Sequence, residues 1–98
     1  MELTTKQKTY LRGLGQALHP TLNVGREGVT AGTQQALEQL FARHELVKGK
    51  VQQTSDLEPQ EVAAALADSV DASLIGVVGR TFLLYRPNPE RKEPIRLP

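Results

Sequence analysis

Two apolar runs, Leu74-Ile75-Gly76-Val77-Val78 and Thr81-Phe82-Leu83-Leu84-Tyr85, are separated by Gly79-Arg80 alone. A two-residue connection of this kind is a β-hairpin signal and commits the last two strands to an antiparallel pair. The patterns upstream alternate between helical and extended periods. Thr4 followed three residues later by Gln7 fits a capping box. Leu11, Leu14 and Leu18 then recur at i, i+3 and i+7 as one buried helical stripe, which His19-Pro20 terminates. Gly13 and Gly15 each weaken that helix by about 1 kcal/mol relative to alanine, so it needs packing to persist. Thr21–Val24 is a short strand. A second helix covers residues 31–44, with Thr33, Leu37, Leu40, Phe41 and His44 on one stripe. His44, at its end, reads as a cap or core-edge residue.

Leu46–Gln52 is the second strand, in which Val47, Gly49 and Val51 alternate with Lys48 and Lys50. Gln53–Leu57 is a polar loop. Glu58-Pro59 starts a third helix with Val62, Leu66 and Val70 buried beside Ala63 and Ala65. The order α-β-α-β-α-β-β predicts a two-layer α/β sandwich with a mixed four-stranded sheet. Right-handed crossovers place the second and third helices on one face. Residues 1–86 form the single domain. Residues 87–98 hold four prolines and five charges and are expected to be an extended or mobile tail that buries no core.

Val24-Gly25-Arg26-Glu27-Gly28-Val29-Thr30 links the first strand to the second helix. Glycines at 25 and 28 let the backbone take positive φ and approach a partner closely, and Thr30 is a good N-cap. Unpaired amides at a helix start suit a phosphate oxygen. The turn therefore reads as an RNA-backbone clamp, with an unliganded strand-to-helix turn as the alternative.

The net charge of +1 conceals a segregation that bears on this choice. Residues 1–50 carry seven Lys/Arg against four Asp/Glu, and residues 73–98 carry five against two. Residues 51–72 carry no base against Asp56, Glu58, Glu61, Asp68 and Asp71. Basic and acidic surfaces kept apart allow a polyanion to bind at one patch despite the balanced total; ordinary surface patterning is the other reading. The candidate cations are Lys6 and Arg12 on the first helix, Arg26 in the turn, Lys48 and Lys50 on one strand face, and Arg80 and Arg86 flanking the last strand. Two lysines on a strand face are also what simple solvation produces. Aromatic content of 4% leaves few platforms for stacking bases, which favours recognition of RNA backbone and shape.

Other chemistries find no residues. The absence of cysteine excludes disulfides and thiolate metal sites. His19 and His44 sit at the ends of different helices, and no metal-ligand spacing occurs. No Gly-Lys-Ser/Thr follows the glycine turn, and no third glycine makes a dinucleotide fingerprint. No cofactor, small-molecule substrate or catalytic constellation is expected. The first 20 residues lack the apolar core of a signal peptide, and the longest apolar run, Val62–Ala67, falls far short of the ~20 residues that span a bilayer. A soluble, cytoplasmic, monomeric protein is the expectation.

Five segments in order resemble the CRM domain (chloroplast RNA splicing and ribosome maturation) family, specifically its free-standing bacterial YhbY-type members. They are Leu3-Thr4-Thr5-Lys6-Gln7, Leu11-Arg12-Gly13-Leu14, Gly25-Arg26-Glu27-Gly28-Val29-Thr30, His44-Glu45-Leu46-Val47-Lys48-Gly49-Lys50 and Gly79-Arg80-Thr81-Phe82-Leu83-Leu84-Tyr85-Arg86. The resemblance implies a fold similar to the C-terminal domain of bacterial translation initiation factor three, and RNA binding in association with large-subunit (50S) ribosomal precursors. It implies Gly25 and Gly28 as the loop glycines, Arg26 as the loop cation and Lys48, Lys50, Arg80 and Arg86 as supporting bases. Two positions depart from the family pattern. Glu27 stands where a basic or neutral polar residue is usual, and would repel phosphate unless it points away. Gly49 replaces a β-branched residue. A protein-interaction module using the acidic third helix or the tail is the alternative function.

Overall fold

The computed structural model describes residues 2–53 and 56–98. Helix α1 (Thr5–Gly15) starts at the capping box read from the sequence: Gln7 N donates to Thr4 Oγ1 at 3.1 Å and Thr4 N donates to Gln7 Oε1 at 3.0 Å. Strand β1 (Leu22–Val24) leads to helix α2 (Ala31–Phe41), strand β2 (Leu46–Val51), helix α3 (Pro59–Ser69) and the hairpin of β3 (Ser73–Val78) and β4 (Thr81–Tyr85). This is the expected order. Of the polar loop expected over 53–57, Thr54 and Ser55 lie outside the described residues.

The sheet runs β1-β2-β4-β3, with β1 parallel to β2 and β4 antiparallel to both neighbours. The crossover through α2 makes the first pair parallel, and the tight turn makes the last pair antiparallel. Phe82, Leu83, Leu84 and Tyr85 are consecutive buried residues, so β4 needs cover on both faces and takes an interior position. On one face, α2 and α3 bring Leu37, Phe41, Val62, Ala63 and Leu66 against Leu22, Val24, Val47, Val51, Phe82 and Leu84. On the other, Leu11 of α1 closes over Leu46, Ile75, Leu83 and Tyr85. A register shift between Leu74 and Gly76 lets Leu74 and Val77 both join the α2/α3 side while Ile75 faces α1.

Four local expectations change. In α1 only Leu11 of the leucine stripe is buried; Leu14 and Leu18 are each 37% exposed, and the helix ends at Gly15, well before His19. The helix instead meets the sheet through Leu11 and Gly15, one turn apart. A Cβ at Gly15 would lie 2.6 Å from Leu83 Cδ2, so the missing side chain is what sets the rotation and closeness of the helix. Helix α2 stops at Phe41, which leaves His44 exposed beyond it, and α3 buries Ala67 in place of Ala65.

The tail is the fourth. It has no regular secondary structure, yet Ile95 and Leu97 pack against the cluster beneath α1. Spaced two apart in an extended, proline-rich chain, they face the same side. Glu45, only 2% exposed, holds the segment: Asn88 N donates to its Oε2 at 2.6 Å and Ile95 N to its Oε1 at 2.5 Å. Arg91 donates to Arg43 O and Gln7 Nε2 to Pro98 O. The reading that residues 87–98 bury no core is thereby corrected.

Candidate nucleic-acid interface

The chain leaves β1 beside the end of β2, where Gln52 N donates to Val24 O at 2.9 Å. It reverses within four residues, Gly28 N donating to Gly25 O at 3.1 Å. Gly28 stands at φ +68°, which strains any L side chain, and a Cβ there would lie 2.9 Å from Leu57 Cδ1, which would have to shift. Gly25 is not a positive-φ glycine, and a Cβ on it would meet only the Gln52 side chain at 3.7 Å. The positive φ expected at the two glycines occurs at Gly28 and not at Gly25. One glycine closes the turn; the other leaves space at its mouth.

Thr30 caps α2, its Oγ1 accepting from Thr33 N at 3.1 Å. The Thr33 hydroxyl donates to Gly28 O at 3.1 Å, so the 2.9 Å contact between the two hydroxyls is donated by Thr30. The only hydroxyl proton of Thr30 is thus committed inside the protein, and the residue fixes the helix start to the turn. Arg26 and Glu27 form the exposed tip.

Arg80 lies beside this turn. Its Nε donates to Val51 O at 3.1 Å and its Nη2 to Gln52 O at 3.0 Å and Leu57 O at 3.3 Å. It ties the segment after β2 to the hairpin, and that segment supplies the Gln52 and Leu57 side chains that back the two loop glycines. Lys50 is exposed at the same end, in register with Asn23 and Thr81. One pleat back, Lys48 Nζ donates to Gly15 O at 3.3 Å, at the helix terminus where a cation is favoured. Arg12 reaches across from α1 to donate Nε to Ile75 O at 3.2 Å. Turn, Lys50 and Arg80 therefore share one end of the sheet, and Lys48 and Arg12 continue along its α1 face.

A family model of the CRS1/YhbY (CRM) domain matches residues 3–86. The chain belongs to this family. It is 35% identical over 96 residues to a protein of Haemophilus influenzae named RNA-binding protein, covering 98% of this chain and 95% of that one. It is 33% identical over 96 residues to the Probable RNA-binding protein YqeI of Bacillus subtilis, with 98% and 99% covered. Its fold matches the solution structure of the hypothetical protein SAV1595 from Staphylococcus aureus with a TM-score of 0.83 at 32% identity, over 99% of this chain and 100% of that chain.

In this CRM domain two of the expected cations leave the set. Arg86 lies on the α2/α3 face at the other end of β4. Its Nη1 and Nη2 meet the Glu38 carboxylate at 2.8 and 3.0 Å, Nη1 also donates to Val70 O at 2.9 Å, and the guanidinium stacks 4.8 Å over Phe41. Alternation along β4 decides this: residue 86 falls on the same face as Phe82 and Leu84. Lys6 sits in the first turn of α1, about 14 Å along the axis from Gly15 at 1.5 Å per residue, away from the basic end.

The hydrogen bond from Arg86 holds the Glu38 carboxyl below its usual pKa, and the same bond raises that of Arg86. A lowered carboxyl pKa means the pair's stabilisation is complete above the ordinary glutamate value and fades as pH falls through the lowered one. Arg86→Met is expected to cost about 1–2 kcal/mol at pH 7, limited by the exposure of Glu38, and less in acid. Denaturation at both pH values measures this, and RNA affinity should be unchanged in the same variant.

Residues that the motif reading missed are Gln52 and Leu57, whose contacts with the glycines exist only once β1 and β2 pair. Thr33 had a local signal, standing three residues after an N-cap threonine. Among the described residues, no group of three His, Asp or Glu could hold a metal ion, and no helix is long and apolar enough to cross a membrane.

Proposed function

We propose that this chain is a non-catalytic RNA-binding protein that docks on ribosomal RNA of large-subunit precursors during assembly. The observation that carries the reading is the convergence of the Gly25–Gly28 turn, exposed Arg26, exposed Lys50 and Arg80 at one end of the sheet. Gly25 leaves the mouth of the turn open, so an RNA backbone can rest against main-chain amides without a side chain intervening. Lys48 and Arg12 extend the positive surface. Glu27 subtracts from it at the tip. The names of the Haemophilus and Bacillus relatives support RNA as the partner class.

Neutralising roughly four to six phosphates gives log K a slope of about −3 to −5 against log salt on a structured ribosomal RNA fragment. A slope near zero removes the electrostatic account. Gly25→Asp places a carboxylate at the mouth of the turn with only ordinary contact to Gln52. It should weaken binding several-fold while leaving the melting temperature nearly unchanged; unaltered affinity takes the turn out of the interface.

A protein partner on α3 is the second reading, favoured by the exposure of Glu58, Glu61, Asp68 and Asp71 along and beside that helix. Ribosome association that survives nuclease removal of exposed RNA would support it over direct RNA contact.

A further inference from the structure

An open groove of about 490 Å³ lies on the α1 side of the sheet, between the C-terminal half of α1 and the β3–β4 hairpin. That volume falls in the range of small-molecule pockets, about 300–1,000 Å³. Leu83 gives it an aliphatic floor, Gly76 leaves its wall open, and Val78, 80% exposed, stands at its outer edge. Arg12, Gln16, Lys48 and Thr81 supply its polar groups. Among the described residues, no carboxylate lines it.

The two cations are anchored but not consumed. Arg12 spends Nε on Ile75 O, and Lys48 spends one N–H on Gly15 O. Among the described residues, the Nη groups of Arg12 and the other ammonium protons of Lys48 have no protein acceptor, and neither side chain has a carboxylate within ion-pair distance. The groove therefore offers an apolar surface bordered by two positioned positive donors. The complementary ligand has a flat, largely apolar body carrying an anion at its side. Lys50 stands about 7 Å further along the same strand face, toward the glycine turn, so the anionic chain has a cationic path onward.

We infer that this groove accepts one unpaired nucleotide of the bound RNA, with its base over Leu83 and Val78 and its phosphate between Arg12 and Lys48. The inference rests on the RNA-binding reading and adds a base-accepting subsite to a backbone-gripping surface. Aliphatic contact takes the place of aromatic stacking, so the subsite distinguishes an unpaired nucleotide from a paired one without reading its identity.

The test uses the full chain with two RNA hairpins of one stem sequence, one fully paired and one with a single bulged 2-aminopurine. The native protein should bind the bulged hairpin about tenfold more tightly, the scale of one base contact, with a change in 2-aminopurine fluorescence. Gly76→Val fills the groove at a strand position that suits valine, where the atoms nearest a Cβ belong to the flexible Arg12 side chain, with Nε at 3.2 Å. It should abolish the preference and the fluorescence change, and lower the salt slope by no more than the one phosphate assigned to Arg12 and Lys48. Val78→Ser, at an exposed position, should weaken the preference without touching the core or adding charge. Equal binding of both hairpins by the native protein, or a preference that persists in both variants, overturns the groove assignment and leaves backbone binding standing. Failure of the native protein to bind either hairpin overturns both readings together.

Discussion

Gly49→Val should destabilise the protein by about 2–3 kcal/mol, even though valine is the better strand former. A Cβ at this position overlaps the Phe82 ring, which is 1% exposed and enclosed by α2 and α3. The ring has no room to retreat, so β2 and β4 must shift or α3 must lift. For a chain of this size the change is roughly 10–20 °C in melting temperature. Calorimetry on the variant measures it, and a melting point within a degree or two of the native protein would mean the core is far looser than described. Glycine at this position is thus the counterpart of a phenylalanine across the strand pair. Gly49→Val combined with Phe82→Leu should recover part of the loss, because the smaller side chain vacates the disputed volume.

Glu45→Ala is expected to cost about 2–4 kcal/mol, since it strands two amides that now donate to a buried carboxylate. Asn88 N and Ile95 N would lose their acceptor together, and Ile95 and Leu97 would lose the tether that holds them on the sheet face. Limited proteolysis should then cut within residues 88–98 of the variant under conditions that leave the native chain whole. A second readout is Tyr85, whose pKa is pushed up first by burial and then by the Glu45 charge. Glu45→Gln removes the charge and keeps an acceptor, so the tyrosine should titrate at lower pH while the tail stays more protected than in the alanine variant. Identical proteolysis and stability in the native and alanine forms would show that the tail is held by its apolar contacts alone.

Local signals and long-range packing divided the outcome in a consistent way. Thr4 with Gln7, Pro59 at a helix start and Gly79-Arg80 between apolar runs each act within four residues, and each stands where the sequence placed it. The leucine stripe of α1 failed because periodicity names a face but not the partner. Gly15, with no side chain, lets the helix come closer to Leu83 than Leu14 or Leu18 could. The tail misled through its prolines and charges: two apolar residues suffice when a buried carboxylate elsewhere accepts the backbone amides of Asn88 and Ile95. Glu45 has no mark in the sequence that separates it from the exposed acids.

The candidate surface divides along the same line. Composition and motif together named the glycine turn and a pool of cations, because glycine's freedom and a guanidinium's charge belong to the residue itself. Which cations share a surface was decided by strand parity and pairing. Arg86 faces Phe41 and Glu38 behind the sheet, whereas Lys50 and Arg80 come to the turn through the register of β2 with β1 and β4. The sequence alone determined the order of elements, the turn and the sign of the charge available. The tertiary structure decided which side chains meet, because pairing between residues tens of positions apart is fixed only when the apolar faces of all four strands are buried at once.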